Sequence, residues 1–543
     1  MNAPPPPYSE PANGRLSQWD GGDDDYKYSF EKPEKPVPSP SYEESFPIRQ
    51  PRYNDTFFTY VFVATLVVFA YVTYESYVYL EYPTASVLEP AKLSKPMRAL
   101  YTLVAVSTVV PLVSATVLLG LVYLFPTFFV VTAFLLVPLS MFSMAVTSLM
   151  AGSVLSAIMF GAFGLLSLTF MFQNFSRFSF SALMIQLVVS AMKKYPSTLL
   201  ISALSSLITA AVSVLYMVAI GVVANARINK DDSLCPHTNG NDICLSNTSI
   251  AIFLFVVFAG CYIFQVLENV THVVLSGIFS SWYFFDANEA SSKPRYPALG
   301  SLKRALTYCF GSICFGSLLV SVVQTIRISL QVLKAKLQNR NLNYDDDNDN
   351  GGSGENGLLF CFLICLVSVL EWVASEFEYW MKWFNRYAYS YLAMYGKSYL
   401  DSARDTFEIL RYKGIDILIN DSLVGTAIGL YSLLSMFLTG VALYVVFTTW
   451  NIGGIMDMGP EMLVLGGIGG LVICWFIVNS AINVLDVGCV TFMIGLAVDP
   501  DAFTRTNAGG ATDTSIQRLQ AWEKLSRFYP EIRERVMLDW PEN

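Results

Sequence analysis

Ten apolar runs, most of them twenty residues or longer, occupy this chain from Phe57 to about Asp486, and the connectors between them are mostly short and polar. Roughly 20 apolar residues carry a helix across about 30 Å of hydrocarbon, where every backbone polar group must be satisfied within its own segment. The runs lie near 57–80, 100–121, 126–146, 151–172, 197–223, 250–277, 303–330, 358–380, 421–449 and 462–485. Hydrophobic residues make up 54% of the chain and charged ones 14%, too lopsided for a soluble core. The fold class is therefore all-α: a polytopic membrane protein of about ten transmembrane helices, solvated by the lipid bilayer. Residues 1–56 read as a disordered, Pro-rich, acidic cytoplasmic tail, 57–486 as the ten-helix transmembrane domain, and 487–543 as a cytoplasmic C-terminal tail with an amphipathic helix.

The tails and loops set orientation. No apolar core of a secretory signal precedes the first run, so the amino end is expected to stay inside. With that end inside, thirteen basic residues from Arg177 to Lys413 fall in inner loops against eight outside. Ten spans return the carboxyl end to the cytoplasm as well. Cys235 and Cys244 then share an outer loop with the acceptor sequence Asn247-Thr248-Ser249, and a disulfide and a glycan on Asn247 both suit an oxidising side. Near the start, Pro5-Pro6-Pro7-Tyr8 is a PPxY sequence in preformed polyproline geometry. It suits a WW-domain partner such as a ubiquitin ligase or adaptor, with Pro5, Pro6 and Tyr8 as the ligand residues, or it is an incidental part of a Pro-rich tail. Residues 381–420 mix aromatics with charges and read as an amphipathic helix on the inner face. Glu371, Glu376 and Glu378 beside Trp372 and Trp380 read as an interfacial belt.

Polar side chains inside a span cost about 2.5–3.5 kcal/mol when charged, so their positions carry functional information. In the sixth span Tyr262, Gln265, Glu268, Asn269, His272 and Ser276 recur at intervals of three and four, which stacks them on one side of a helix. Trp475, Asn479, Asn483 and Asp486 repeat the pattern in the tenth span. One reading has both seams bordering a water-filled substrate path; the other has them hydrogen-bonding neighbouring helices and nothing more. No Walker loop, no metal-spaced His/Cys cluster and only two histidines are present, so enzyme chemistry, a metal and a cofactor are not expected. The net charge of −9 sits largely in tails and in the loop NLNYDDDNDNGGSGEN, and nucleic acid is not suggested as a partner.

The stretches FSSWYFFDANEASSKPRYPALGSLKRALTYCFGSICFGSLL, FNRYAYSYLAMYGKSYLDSARDTFEIL and DVGCVTFMIGLAVDP resemble the choline transporter-like family of solute carriers, in particular its fungal pH-nine-sensitive members. The resemblance runs from about Phe57 to Pro500. It implies a ten-span fold with both ends cytoplasmic and movement of choline, in some members ethanolamine, across the plasma membrane or an organelle membrane. A quaternary ammonium donates no N–H and is best held by aromatic faces with a carboxylate at a distance. Periodicity then makes Tyr262 and Trp475 the ring candidates and Glu268 and Asp486 the counter-charges, with Gln265, Asn269 and Asn479 reaching the hydroxyl. The alternative function is a non-transporting membrane scaffold that recruits WW-domain partners through its tail.

Overall fold

A computed structural model describes residues 52–79, 95–173, 175–228, 247–285, 294, 296–346, 354–448 and 460–498 of the chain. Twelve helices are found there and no strand: α1 (Thr56–Tyr79), α2 (Lys95–Leu124), α3 (Pro126–Met150), α4 (Val154–Gln173), α5 (Phe175–Lys194), α6 (Ser197–Ile228), α7 (Asn247–Phe285), α8 (Pro297–Leu306), α9 (Phe310–Asp346), α10 (Gly354–Tyr395), α11 (Tyr399–Thr448) and α12 (Pro460–Val498). Nine of the ten apolar runs each fall on one helix, and the seventh spans two. Among the described residues seven helices are long and apolar enough to cross a membrane, and two shorter apolar stretches lie in α3 and α4. The tight junction after α2 is a proline device. Pro126 opens α3 with only Phe125 between it and the end of α2 at Leu124, a position where its missing N–H costs nothing.

Helices α7 and α12 form the centre. The first packs against α1, α6, α8, α9, α10 and α12, the second against α2, α5, α6, α7, α10 and α11, while α4 rests mainly on α3 at the periphery. Burial along the central helices is uneven. Residues 271–285 of α7, 484–496 of α12 and 387–394 of α10 are buried without a break. There Phe279, Trp282, Tyr283, Tyr387 and Phe492 join Met184, Ile185 and Val188 of α5 in one apolar core. Toward the other ends of α7, α10 and α12, exposed and half-buried positions recur. The bundle is solid at the end where these three helices finish and looser where they begin.

Four sequence expectations change. The first part of the stretch 381–420 is not an amphipathic surface helix: α10 continues unbroken to Tyr395 with Asn385 and Tyr387–Met394 buried, and α11 starts four residues later. Of its charges, Lys382 pairs with Glu378 on the same helix, Arg386 pairs with Asp486 of α12, and Lys397 and Asp405 pair nearer the surface. Helix α12 runs past Asp486 to Val498, so residues 487–498 belong to the bundle and not to a C-terminal tail. The seventh run is broken at Thr307–Cys309 into α8 and α9, and α5, which matches none of the ten runs, supplies part of the core. Of the thirteen basic residues assigned to inner loops, Arg304, Lys382 and Arg386 sit in the bundle. Pro5, Pro6, Tyr8, Cys235 and Cys244 lie outside the described residues, and Asn247 is the first residue of α7.

Candidate functional site

The two polar seams meet a third helix. Going down α7, Asn269 Nδ2 donates to Ser317 Oγ of α9 at 2.8 Å and approaches the Tyr389 hydroxyl of α10 at 3.4 Å. One turn on, His272 Nε2 bonds Ser390 Oγ of α10 at 2.9 Å, and the backbone of Arg386 also reaches the ring. Ser390 meets Ser276 at 3.0 Å, and Thr491 Oγ1 of α12 donates to Ser276 at 2.9 Å. This network ties α7, α9, α10 and α12 together at the upper edge of the solid core. All its members are buried, so each bond also prevents the cost of an unsatisfied polar group.

A charged layer lies beside it. Arg386 Nη1 is shared between both oxygens of Asp486 at 2.8 Å, joining α10 to α12. Glu378, on the same helix, binds Arg327 of α9 at 2.6 Å and Lys382 at 2.7 Å, and is itself buried. It is an internal ion-pair centre and not part of an interfacial belt. Glu371, further out, pairs with Lys334 at 3.0 Å.

Glu268 differs from these acids. It forms no hydrogen bond or ion pair among the described residues and is exposed, yet protein surrounds it and Lys382, Asp486 and Arg386 act on its charge through space. We read an acid that is surrounded and still accessible as the lining of an inner cleft. The partly accessible side chains of Lys382 and Arg386, at 38% and 30%, border the same space.

The cleft gathers some predicted residues and rejects others. Glu268, Asn269, His272 and Asp486 come together at its floor. Gln265 lies one turn above, nearly buried, and Asn483 is half-buried one turn from Asp486. Tyr262 is sealed away: it packs with Phe62 of α1 and Cys314 of α9, and its hydroxyl donates to the Cys314 carbonyl at 3.1 Å. Asn479 turns toward α11, where its Oδ1 accepts from Ser432 at 3.4 Å. Trp475 keeps 43% of its surface. The contacts Phe264–Phe476 and Ser276–Thr491 show that α7 and α12 run parallel, which sets Trp475 further from the sealed end than Glu268. Sequence reasoning missed Lys382, Asn385, Arg386, Tyr389 and Ser390 of α10. Their spacing of three and four was the available signal, hidden because neighbouring charges suggested a water interface.

A helical bundle sealed at one end, with an accessible acid above the seal, has the build of a polytopic membrane transporter. The family model described as plasma-membrane choline transporter matches residues 158–501. Protein PNS1 of Debaryomyces hansenii is 32% identical over 99% of both chains. Protein PNS1 of Candida albicans is 31% identical over 93% of this chain and 92% of its own, and that of Saccharomyces cerevisiae 29% over 94% and 90%. The chain belongs to the choline transporter-like family.

Proposed function

We propose that the protein carries choline or a closely related small organic cation across the plasma membrane, with both termini in the cytoplasm. The observation that carries this reading is Glu268, a surrounded but accessible carboxylate with no bonded counter-ion beside acids that all have one. An organic cation entering the cleft meets Trp475 first, whose ring face attracts it at about 0.5–2 kcal/mol, and then the Glu268 charge. Asn269 and Gln265 offer acceptors to a hydroxyl, and a primary ammonium such as that of ethanolamine would bond them directly. On this reading the loop with Cys235, Cys244 and Asn247 faces outward, and the PPxY sequence at Pro5, Pro6 and Tyr8 recruits a WW-domain partner.

Saturable uptake of radiolabelled choline into proteoliposomes is the test. Glu268→Gln is expected to leave abundance and melting temperature near those of the unmodified protein while reducing flux at least about tenfold, the scale of one lost charge interaction. Absence of saturable choline or ethanolamine flux in folded protein would remove the reading. A scaffold would instead show Glu268→Gln altering folded yield with no flux to lose.

A further inference from the structure

The three residues before α1 are built into the sealed end. Asp55 has φ 53°, in the left-handed region where Asp and Asn are tolerated best among non-glycine residues. That turn swings its carboxylate between two helices: Oδ2 accepts from Ser312 Oγ of α9 at 2.6 Å and from the backbone N–H of Tyr399, the first residue of α11, at 2.9 Å. Asn54 makes a matching pair of contacts, its N–H donating to the Tyr308 carbonyl at 3.1 Å and its Nδ2 to the Gly396 carbonyl at 2.9 Å. Together they clamp the α8–α9 turn to the α10–α11 turn. The approach is so close that a Cβ on Gly311 would lie 2.4 Å from the carbonyl oxygens of Asn54 and Asp55, and Gly396 takes φ +60° beneath it.

The clamp is wired to the cleft floor. Tyr399, held by Asp55 through its N–H, donates its hydroxyl to Asn385 Oδ1 at 2.5 Å, and Asn385 adjoins Arg386 of the Asp486 pair. Tyr399 also packs with Tyr389, which meets Asn269. Cys309 is fully buried in the same cluster, with Ile313, Tyr389 and Tyr399. For a solute to leave through the sealed end, α9 and α10–α11 must part, and the Tyr53–Asp55 strap spans that gap.

We propose that this strap is the latch of the sealed end, and that Asp55 is a positioning residue of the transport cycle which lets go of Ser312 and Tyr399 when that end opens. Its meaning as a step of transport rests on the carrier reading above; its existence as a latch does not. Asp55 touches no substrate. It sets how often the floor opens.

Alkylation of Cys309 by N-ethylmaleimide, followed by peptide mass in the full-length protein in nanodiscs, tests this without requiring flux. Asp55→Gly keeps the left-handed turn and removes the carboxylate, and is expected to raise Cys309 labelling about tenfold at an unchanged melting profile. Asp55→Asn still accepts both bonds and should stay near the unmodified rate. If Asp55→Gly does not fold, Ser312→Ala removes one of the two donors and should raise labelling roughly two- to threefold. Folded Asp55→Gly, or failing that folded Ser312→Ala, with Cys309 still protected overturns the latch. Choline flux measured on the same preparations keeps the two claims apart, since absence of flux in the unmodified protein sinks the carrier while the labelling result stands.

Discussion

Arg386 and Asp486, a hundred residues apart, form the ion pair that sets the character of the cleft floor. Asp486 is nearly enclosed while Arg386 keeps 30% of its side chain accessible, so the pair is partly desolvated and neither charge is comfortable alone. Asp486→Asn leaves the guanidinium without its counter-charge and is expected to cost about 3 kcal/mol, at the low end for a buried pair because water still reaches Arg386. The double variant Arg386→Met/Asp486→Leu should melt higher than either single one, since it removes both charges together. Thermal unfolding of the unmodified protein, Arg386→Met, Asp486→Leu and the double variant forms a double-mutant cycle, and simple additivity of the two losses would show that the pair is not coupled.

Helix α8 shows why a short element matters in a bundle of long ones. Its last turn carries Lys303 and Arg304, and Arg304 is buried against the end of α10, where Nη1 donates to the Ala393 carbonyl at 3.0 Å and the Met394 carbonyl at 3.4 Å. The last carbonyls of a helix have no partner inside it and carry the negative end of its dipole, so a guanidinium there satisfies orphan acceptors and complements the field. This contact fixes where α10 stops and the α10–α11 turn begins. Arg304→Met is expected to lower stability by about 1.5–3 kcal/mol, the range for a hydrogen bond to a charged group, and Arg304→Lys by less. Melting temperatures of the two variants decide it; equal values would mean that hydrogen bonding, and not mere packing volume, is unimportant at this site.

The whole molecule is asymmetric along the bundle axis. Its central helices α7 and α12 are each 39 residues, about 58 Å at helical rise, nearly twice the hydrocarbon thickness, so they tilt or project beyond it. One end is packed solid and the other holds the cleft, an arrangement suited to access from one side at a time. In a background lacking native cysteines, cysteine at position 475 or 483 should react with a water-soluble maleimide, and cysteine at buried position 490 should not. Equal protection of all three positions would mean that no aqueous cleft reaches the charged layer.

Hydropathy and the three-to-four spacing are local properties, so the sequence alone determined that the chain is a helical membrane protein, where most of its apolar helices run, and that Glu268, Asn269, His272 and Asp486 share polar edges of two of them. Tertiary structure decided the rest. A charge at Arg386 looks like a signal for water until Asp486 is found beside it, and the same stripe that holds Asn269 turns Tyr262 into a dry contact with α1 and α9. Burial and charge pairing depend on which helices meet, and periodicity along one helix carries no record of its neighbours.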